Sequence, residues 1–183
     1  MKRGFLSAVT AAALAVVITL ALSVAGIASE RDQRFFESVE GHWAGPGEVV
    51  AGKYKGTKFT CNLTGKTPEH RAGMTLDGIC RVGLFTQKMS ATVEEVGHSG
   101  YHGTFLDGAR GKGLDIVAGN VSGRTVVFAL NRNALKGTMA AKLPDPNTMM
   151  VTISVRVEND LVPVIGVNLK RTDSVAIGAV AQD

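Results

Sequence analysis

The four histidines, His42, His70, His98 and His102, are the side chains best suited to bind a metal ion or to transfer a proton near neutral pH. His98 and His102 stand four residues apart in the stretch HSGYH, a spacing that brings two rings to one face of a helix. The glycines around them indicate a hairpin turn instead, where this spacing does not bring two side chains together. We therefore predict solvated loop histidines and no metal site.

Local motifs for catalysis or nucleotide binding are not found in the sequence. The stretch GARGKG from Gly108 lacks the lysine-hydroxyl ending and the strand-loop-helix setting of a phosphate-binding loop. Neither a zinc-type cysteine cluster nor a nucleophile elbow occurs. A catalytic triad built from distant residues leaves no local motif, so an enzyme stays as the less favoured alternative. We predict a protein without catalytic activity and without a cofactor.

The N-terminal 28 residues have the layout of an export signal. Lys2 and Arg3 precede an uncharged run over residues 4–28, and small residues fit cleavage after Ala25 or Ala28. We therefore expect a signal peptide at residues 1–28 and a protein exported to the periplasm. The alternative is an uncleaved anchor that holds the protein to the inner membrane through residues 4–28, because the run approaches the roughly 20 residues that span a bilayer.

The remainder of the chain is long enough for one domain with one sizeable core. The formal charge of +4 falls to +2 when Lys2 and Arg3 are set aside, which leaves 18 basic residues against 16 acidic ones. These charges are scattered along the sequence, without the basic cluster typical of nucleic-acid binding. We expect no nucleic-acid partner, and membrane contact only through the N-terminal segment if it is uncleaved.

Cys61 and Cys80 fit a disulfide, because an even cysteine count in an exported protein favours pairing. Alternation puts Cys61 on one strand face with Phe59, and Cys80 on one face with Met74. If the two segments form a hairpin centred near residues 70 and 71, the sulfurs meet directly across the strands. Two buried free thiols are the alternative, which this geometry disfavours.

From Trp43 to Arg171 the chain has the pattern of short strands separated by turn residues, with helical periodicity almost absent. We predict an all-β fold, an antiparallel up-and-down barrel of about 8–10 strands. Closure of the sheet removes the unpaired edges that an open sheet of this size would leave. The strands are expected to begin near His42, Lys58, Gly73, Thr86, Tyr101, Gly113, Arg124, Gly137, Thr148 and Leu161.

The last hairpin carries the clearest pattern. In TMMVTISVRV, Met149 and Ile153 belong to an apolar set that alternates with polar residues. Asn159 and Asp160 are expected to form the tight connection to the final strand. Pro163 cannot donate a ladder hydrogen bond, so we expect it at a bulge or a sheet edge.

Residues 29–41 form the one stretch with a helical pattern. Phe35, Phe36 and Val39 recur at the spacing of one turn, which predicts a short helical lead-in that covers one end of the barrel. The barrel domain is then expected over residues 42–172. Residues 173–183 are small and weakly patterned, and we expect a flexible tail.

Gly41-His42-Trp43 at the start of the first strand and Lys170-Arg171 at the end of the last strand resemble the calycin group, which includes lipocalins and fatty-acid-binding proteins. In that group a Gly-x-Trp and a basic residue near the end of the last strand pack together and close the barrel. The resemblance therefore assigns Trp43 and Arg171, or Lys170 in its place, to a barrel-closing pair. A cation over an indole face contributes about 0.5–2 kcal/mol, which supports the pairing independently.

The stretches HWAGPGEVV, FTCNL and MTLDGICRV are also similar to bacterial periplasmic inhibitors of secreted metalloproteases, small barrels with one disulfide between early strands. This chain is longer after the second cysteine and has no further tryptophan. The similarity implies that residues 29–36 would act as an arm that inserts into a protease. Haem-binding relatives of the calycin group use a late histidine as ligand, and no histidine follows His102, which disfavours a haem site.

An apolar barrel interior can be filled by its own side chains or can hold one small ligand, and the sequence leaves both open. We expect a carrier of a small apolar or amphipathic molecule, or alternatively an envelope module that binds a protein, such as a protease inhibitor or an envelope-integrity factor. The residues expected to line the interior are Phe59, Met74, Met89, Phe105, Phe128, Met149 and Ile153.

Overall fold

The computed structural model describes residues 30–69, 71–97, 100–106 and 114–173. The described part begins with a helix, α1, over residues 30–37. Ten strands follow it: β1 Gly41–Val49, β2 Lys58–Lys66, β3 Gly73–Val82, β4 Phe85–Glu95, β5 Tyr101–Leu106, β6 Leu114–Ser122, β7 Thr125–Arg132, β8 Leu135–Asp145, β9 Thr148–Val157 and β10 Asp160–Arg171.

The ten strands form a closed antiparallel barrel in which each strand pairs with its neighbours in sequence and β1 pairs with β10. The prediction of an all-β up-and-down barrel with a short N-terminal helix is confirmed. Each strand begins within two residues of its expected start. The agreement follows from the period-2 alternation of the sequence, because a shift of one residue would turn the apolar side chains of a strand towards solvent.

Two-residue turns join several of the strand pairs. Gly83, Gly123, Asn133 and Glu158 each occupy the first turn position with a positive φ, which such tight connections require. Glycine adopts this conformation without steric strain, and asparagine tolerates it better than most residues do.

The connection between β9 and β10 differs by one residue from the prediction. Val157 pairs with Asp160, so the turn consists of Glu158 and Asn159 rather than Asn159 and Asp160. The register between β9 and β10 shifts between Pro163 and Ile165, which is a bulge, one of the two arrangements expected for Pro163. The extra residue of the bulge changes the pairing of β10 with β9, so that the two residues Glu158 and Asn159 are left for the turn.

The apolar core is formed by residues of α1 and of the barrel, all within 30–173. This part of the chain therefore contains both the closed sheet and its apolar core, which is what a domain needs to fold by itself. In the described residues, no helix has the length and apolar character needed to cross a bilayer. The predicted signal peptide or anchor at 1–28, and the predicted tail beyond Asp173, lie outside the described residues.

Candidate functional site: the barrel cavity

The end of the barrel that α1 covers, the helix end, is tightly packed. Phe35, Phe36 and Val39 are buried, which is the arrangement that their one-turn spacing predicts. The Phe36 ring lies 5.3 Å from the ring of Tyr101, which opens β5. The Tyr101 hydroxyl donates a 2.7 Å hydrogen bond to Asp32 Oδ2. The helix is thereby tied to the barrel by both ring packing and a polar contact.

The hydrogen bond between Tyr101 and Asp32 is partly buried. Burial raises the pKa of the Tyr101 phenol above its usual range, and the hydrogen bond to Asp32 raises it further. The phenol is therefore neutral at physiological pH and acts as a donor. A buried hydroxyl with a partner is a stabilising contact, and this one fixes the helix on the barrel end.

Trp43 and Arg171 lie opposite each other on β1 and β10 at the helix end. The Arg171 guanidinium lies 4.3 Å from the centre of the Trp43 indole, and the indole Nε1–H donates a 2.8 Å hydrogen bond to Val39 O. Lys170, the alternative partner, contacts Thr148 Oγ1 at 2.6 Å instead. Trp43 is 1% exposed and lies outside the cavity lining, so its contacts join helix to sheet.

The Arg171 guanidinium also donates to three backbone carbonyls, two in the segment that follows α1 and one in the β8–β9 connection. Nη2 donates to Ser38 O at 2.8 Å, Nη1 donates to Glu40 O, and Nε donates to Pro146 O at 3.2 Å. Asp173 lies at 4.0 Å from Nη1 and accepts a 3.0 Å hydrogen bond from the backbone N–H of His42. A cation near the C-terminal end of a helix is favourable. Arg171 therefore both closes the barrel and stabilises the end of α1.

Beyond this packed end the barrel interior holds a cavity of about 400 Å³. Phe35, Val39, Met149 and Leu169 form its floor at the helix end. Small inward residues leave the space: Ala91, Gly137 and Ala141 belong to the lining. All seven residues expected from the sequence to line the interior belong to the lining: Phe59, Met74, Met89, Phe105, Phe128, Met149 and Ile153.

The disulfide between Cys61 and Cys80 forms part of the cavity wall. The two residues pair directly across β2 and β3, in the register that the alternation predicts. Phe59, two residues earlier on β2, lies over Gly47 of β1, where a Cβ would collide with its ring. Glycine at position 47 therefore makes room for an aromatic wall residue.

The cavity reaches solvent at the opposite end, the mouth end, where β1, β3, β5, β7 and β9 finish. Val82 and Leu135 belong to the lining and are 39% and 42% exposed, so they form both cavity wall and outer surface. The lining is otherwise almost entirely apolar. Its polar residues in the described part of the chain are Gln87, Ser90, Arg132 and Ser154, of which Ser90 turns its hydroxyl to Asp77 Oδ1.

These polar lining residues were not expected from the sequence. Gln87 continues the inward alternation of Met89, and Arg132 continues that of Phe128, so the period-2 signal could have found both. Ser154 could not be found in this way, because it belongs to the outward set of β9. It faces Pro163, at the bulge in β10. Its backbone carbonyl lies beside Gly137, an inward position of β8 that has no side chain, which accounts for its place in the wall.

The histidines do not form a site in the described residues. His42 Nδ1 lies 3.1 Å from Thr64 Oγ1, and His102 lies exposed on β5 opposite Glu94. His70, His98 and the GARGKG stretch lie outside the described residues. Within the described ranges, no group of three or more histidine, cysteine, aspartate or glutamate side chains is placed to hold a metal ion.

No model of a known protein family matches the chain, and no curated protein matches it. The cavity therefore has to be interpreted from its own geometry. Its features are an apolar wall, a sealed floor and a solvent-exposed mouth with few polar groups. These features can enclose a ligand.

Proposed function

We propose that this protein is a non-catalytic carrier that encloses one small apolar or amphipathic molecule in its barrel. The observation that carries the proposal is the cavity of about 400 Å³ with its nearly continuous apolar wall. Cavities of roughly 300–1,000 Å³ lined mainly by hydrophobic side chains are typical of small-molecule sites. The few polar side chains, such as Gln87 and Arg132, would orient the polar part of an amphipathic ligand at the mouth.

Free energy favours an apolar occupant over water. An apolar wall offers water few hydrogen-bond partners, so water is held weakly in a cavity of this kind. A ligand that covers this wall gains roughly 25 cal/mol for each Å² of apolar surface removed from water. Methionines in the wall, among them Met74, Met89 and Met139, can adapt to ligands of different shape.

The proposal places the carrier in the periplasm as a calycin-like barrel. The signal-like N-terminal sequence and the disulfide between Cys61 and Cys80 support export to an oxidising compartment. The contact between Trp43 and Arg171 supports the calycin-like assignment. An anchored form, held to the inner membrane by residues 4–28, would present the same cavity.

The alternative is a protein-binding envelope module such as a protease inhibitor. An inhibitor that worked through its N-terminal arm would have to free residues 30–36, where Phe35 and Phe36 are packed into the barrel end. Uncovering two buried phenylalanines costs several kcal/mol, about 1.5–3 kcal/mol for each ring. The carrier proposal requires no such rearrangement, and we therefore prefer it.

The carrier proposal is tested by filling the cavity. Ala141 belongs to the wall, and its neighbour Ala140 points to the other face of β8. We expect Ala141→Phe to weaken binding of the fluorescent amphiphile 1-anilinonaphthalene-8-sulfonate by more than tenfold, and Ala140→Phe to leave it unchanged. Fluorescence titration of both variants, after circular dichroism has shown that both are folded, makes the measurement. Equal affinities in the two variants would exclude the cavity as the binding site.

A further inference from the structure

The exposed hydrophobic side chains are concentrated at the mouth end of the barrel. Of the thirteen large hydrophobic residues exposed in the described part of the chain, nine lie at strand ends or connections on this end. We call these nine the apolar rim: Val50, Tyr54, Val82, Leu84, Phe85, Leu106, Leu135, Val157 and Leu161. The helix end has one counterpart, Val96, and the other three lie on the outer barrel wall.

The β3–β4 hairpin carries the most exposed part of the apolar rim. Leu84 is 99% exposed and Phe85 is 80% exposed, so neither contributes to the core. Gly83, with φ +55°, allows the tight turn that presents them. The adjacent β1–β2 connection adds Tyr54, and the β9–β10 connection beyond it adds Leu161, so the rim continues around the barrel. Hydrophobic residues that gain nothing from folding and lie together at one end indicate an interaction surface.

Basic side chains lie between the residues of the apolar rim. Counting each mouth-end connection with the two adjacent residues of each strand, the described residues include seven basic side chains against four acidic ones. The helix end, counted in the same way with α1, has seven basic against nine acidic side chains. Folding therefore separates charges that are scattered along the sequence. The basic residues of the mouth end are Lys53, Lys55, Lys58, Arg81, Arg132, Lys136 and Arg156.

This composition fits an anionic lipid surface better than a protein partner. The cores of protein interfaces are depleted of lysine, whereas four of the seven basic residues here are lysines. Basic residues at a bilayer surface are attracted to anionic headgroups, while leucine and aromatic side chains enter the boundary between headgroups and acyl chains. Lysine stems bury their methylenes and keep the charge at the headgroups.

We propose that the apolar rim docks on the surface of a bilayer that contains anionic phospholipids, with the cavity mouth facing the lipid. This contact is made by the barrel itself and is additional to any contact made by the N-terminal run. The docking does not depend on the carrier proposal, since an empty barrel would bind in the same orientation. If both proposals hold, the mouth opens where a lipophilic ligand can enter without crossing water.

The test measures which end of the barrel meets the lipid. Phe85→Trp places a fluorophore at the rim, and Val96→Trp is the matched control, because Val96 is 50% exposed at the helix end. The chain is used from Ser29 onward, which retains α1 and the whole barrel, with vesicles of phosphatidylcholine and phosphatidylglycerol that carry brominated acyl chains. Trp43 is common to both variants and is buried, so it provides the same background signal in each.

We expect bromine quenching in Phe85→Trp and none in Val96→Trp, and we expect it to disappear with phosphatidylcholine vesicles alone. Replacing Lys53 and Lys55 by glutamate should weaken vesicle binding by roughly tenfold or more, because basic residues near an anionic surface each favour binding. Equal quenching at both ends, or none at either, would overturn the proposal. Dimerisation that Leu84→Ser and Phe85→Ser abolish, without vesicle binding, would assign the rim to a second copy of the chain.

Discussion

The two ends of this barrel differ in packing: the helix end is filled by side chains, and the mouth end is open to solvent. At the helix end, Trp43, Phe36 and Leu169 are buried and Arg171 joins β10 to the segment after α1. At the mouth end, Leu84 and Phe85 project into solvent, and the cavity wall is continuous with the surface. The same alternation of residues produces both ends, yet one end is closed by side chains and the other is left accessible.

This difference indicates that the helix end stabilises the fold, whereas the mouth end gives access to the cavity. A closed β-barrel needs a packed region to hold its strands in register, and the helix end supplies it with a cation–π contact, ring packing and carbonyl hydrogen bonds. Because that region is complete, the interior beyond it can stay unfilled. We therefore expect substitutions at the helix end to change stability, and substitutions at the mouth end to change binding.

Truncation of Trp43 should have the largest effect. Trp43→Ala removes a buried indole, its hydrogen bond to Val39 O and its contact with Arg171, and we expect a loss of about 3–5 kcal/mol in the free energy of unfolding. Leu84→Ser at the mouth end should change it by less than about 0.5 kcal/mol. Urea denaturation followed by circular dichroism makes the comparison, and similar losses in the two variants would contradict it.

Removal of the disulfide should have the next largest effect, because Cys61 and Cys80 close a loop of 19 residues in sequence separation. The chain-entropy model gives a stabilisation of about 3 kcal/mol for a loop of this size. We expect the double variant Cys61→Ala and Cys80→Ala to lose that much free energy of unfolding and to show a steeper dependence on urea concentration, because its unfolded chain is less compact. A variant as stable as the parent would show that the bridge does not constrain the unfolded chain.

Substitution of Arg171 should cost less and should distinguish it from its neighbour. Arg171→Gln loses the cation over Trp43 and hydrogen bonds to Ser38 O and Pro146 O, and we expect a loss of about 1–3 kcal/mol. Lys170→Gln changes a contact with one hydroxyl, and its effect should stay below about 1 kcal/mol. If Lys170→Gln were the more damaging variant, Lys170 would be the closing residue.

Acidification should have the smallest effect and should act at the helix end. The backbone N–H of His42 holds the pKa of Asp173 below its usual 3.8, and the Thr148 hydroxyl does the same for Asp145. Carboxyl groups with lowered pKa values contribute stability that is present above their unfolded pKa and is lost as the pH falls through the folded value. We expect the urea concentration at half unfolding to decrease as the pH is lowered below about 4. This decrease should be less steep in the double variant Asp145→Asn and Asp173→Asn. An identical pH dependence in that variant would contradict this assignment.

The fold could be predicted closely because its signals are local. Alternation predicted the strands, and the place of Cys61 and Cys80 on the same inward face predicted the register of β2 and β3. The hollow interior could not be predicted, because Met74 or Phe128 can fill a core or line a cavity equally well. Whether side chains fill the interior depends on the diameter of the barrel, which strand number and strand tilt determine together.

Two features of the ends also required the three-dimensional structure. The hydrogen bond between Tyr101 and Asp32 joins residues 69 positions apart, and no short-range pattern indicates it. The apolar rim combines Tyr54, Leu84 and Leu161 from separate hairpins, each of which looks like an isolated exposed residue in the sequence. The up-and-down order of the strands brings these tips to one end, and closure of the barrel arranges them and the surrounding lysines around the mouth.

The most direct test of the carrier proposal is native mass spectrometry of the protein recovered from a periplasm without detergent, before and after mild unfolding. We predict a complex whose mass exceeds that of the disulfide-bonded chain by one small molecule, and release of that mass when the barrel unfolds. Loss of the extra mass in Ala141→Phe, but not in Ala140→Phe, would place the molecule in the cavity. The mass of the bare chain alone, in repeated preparations, would contradict the carrier proposal.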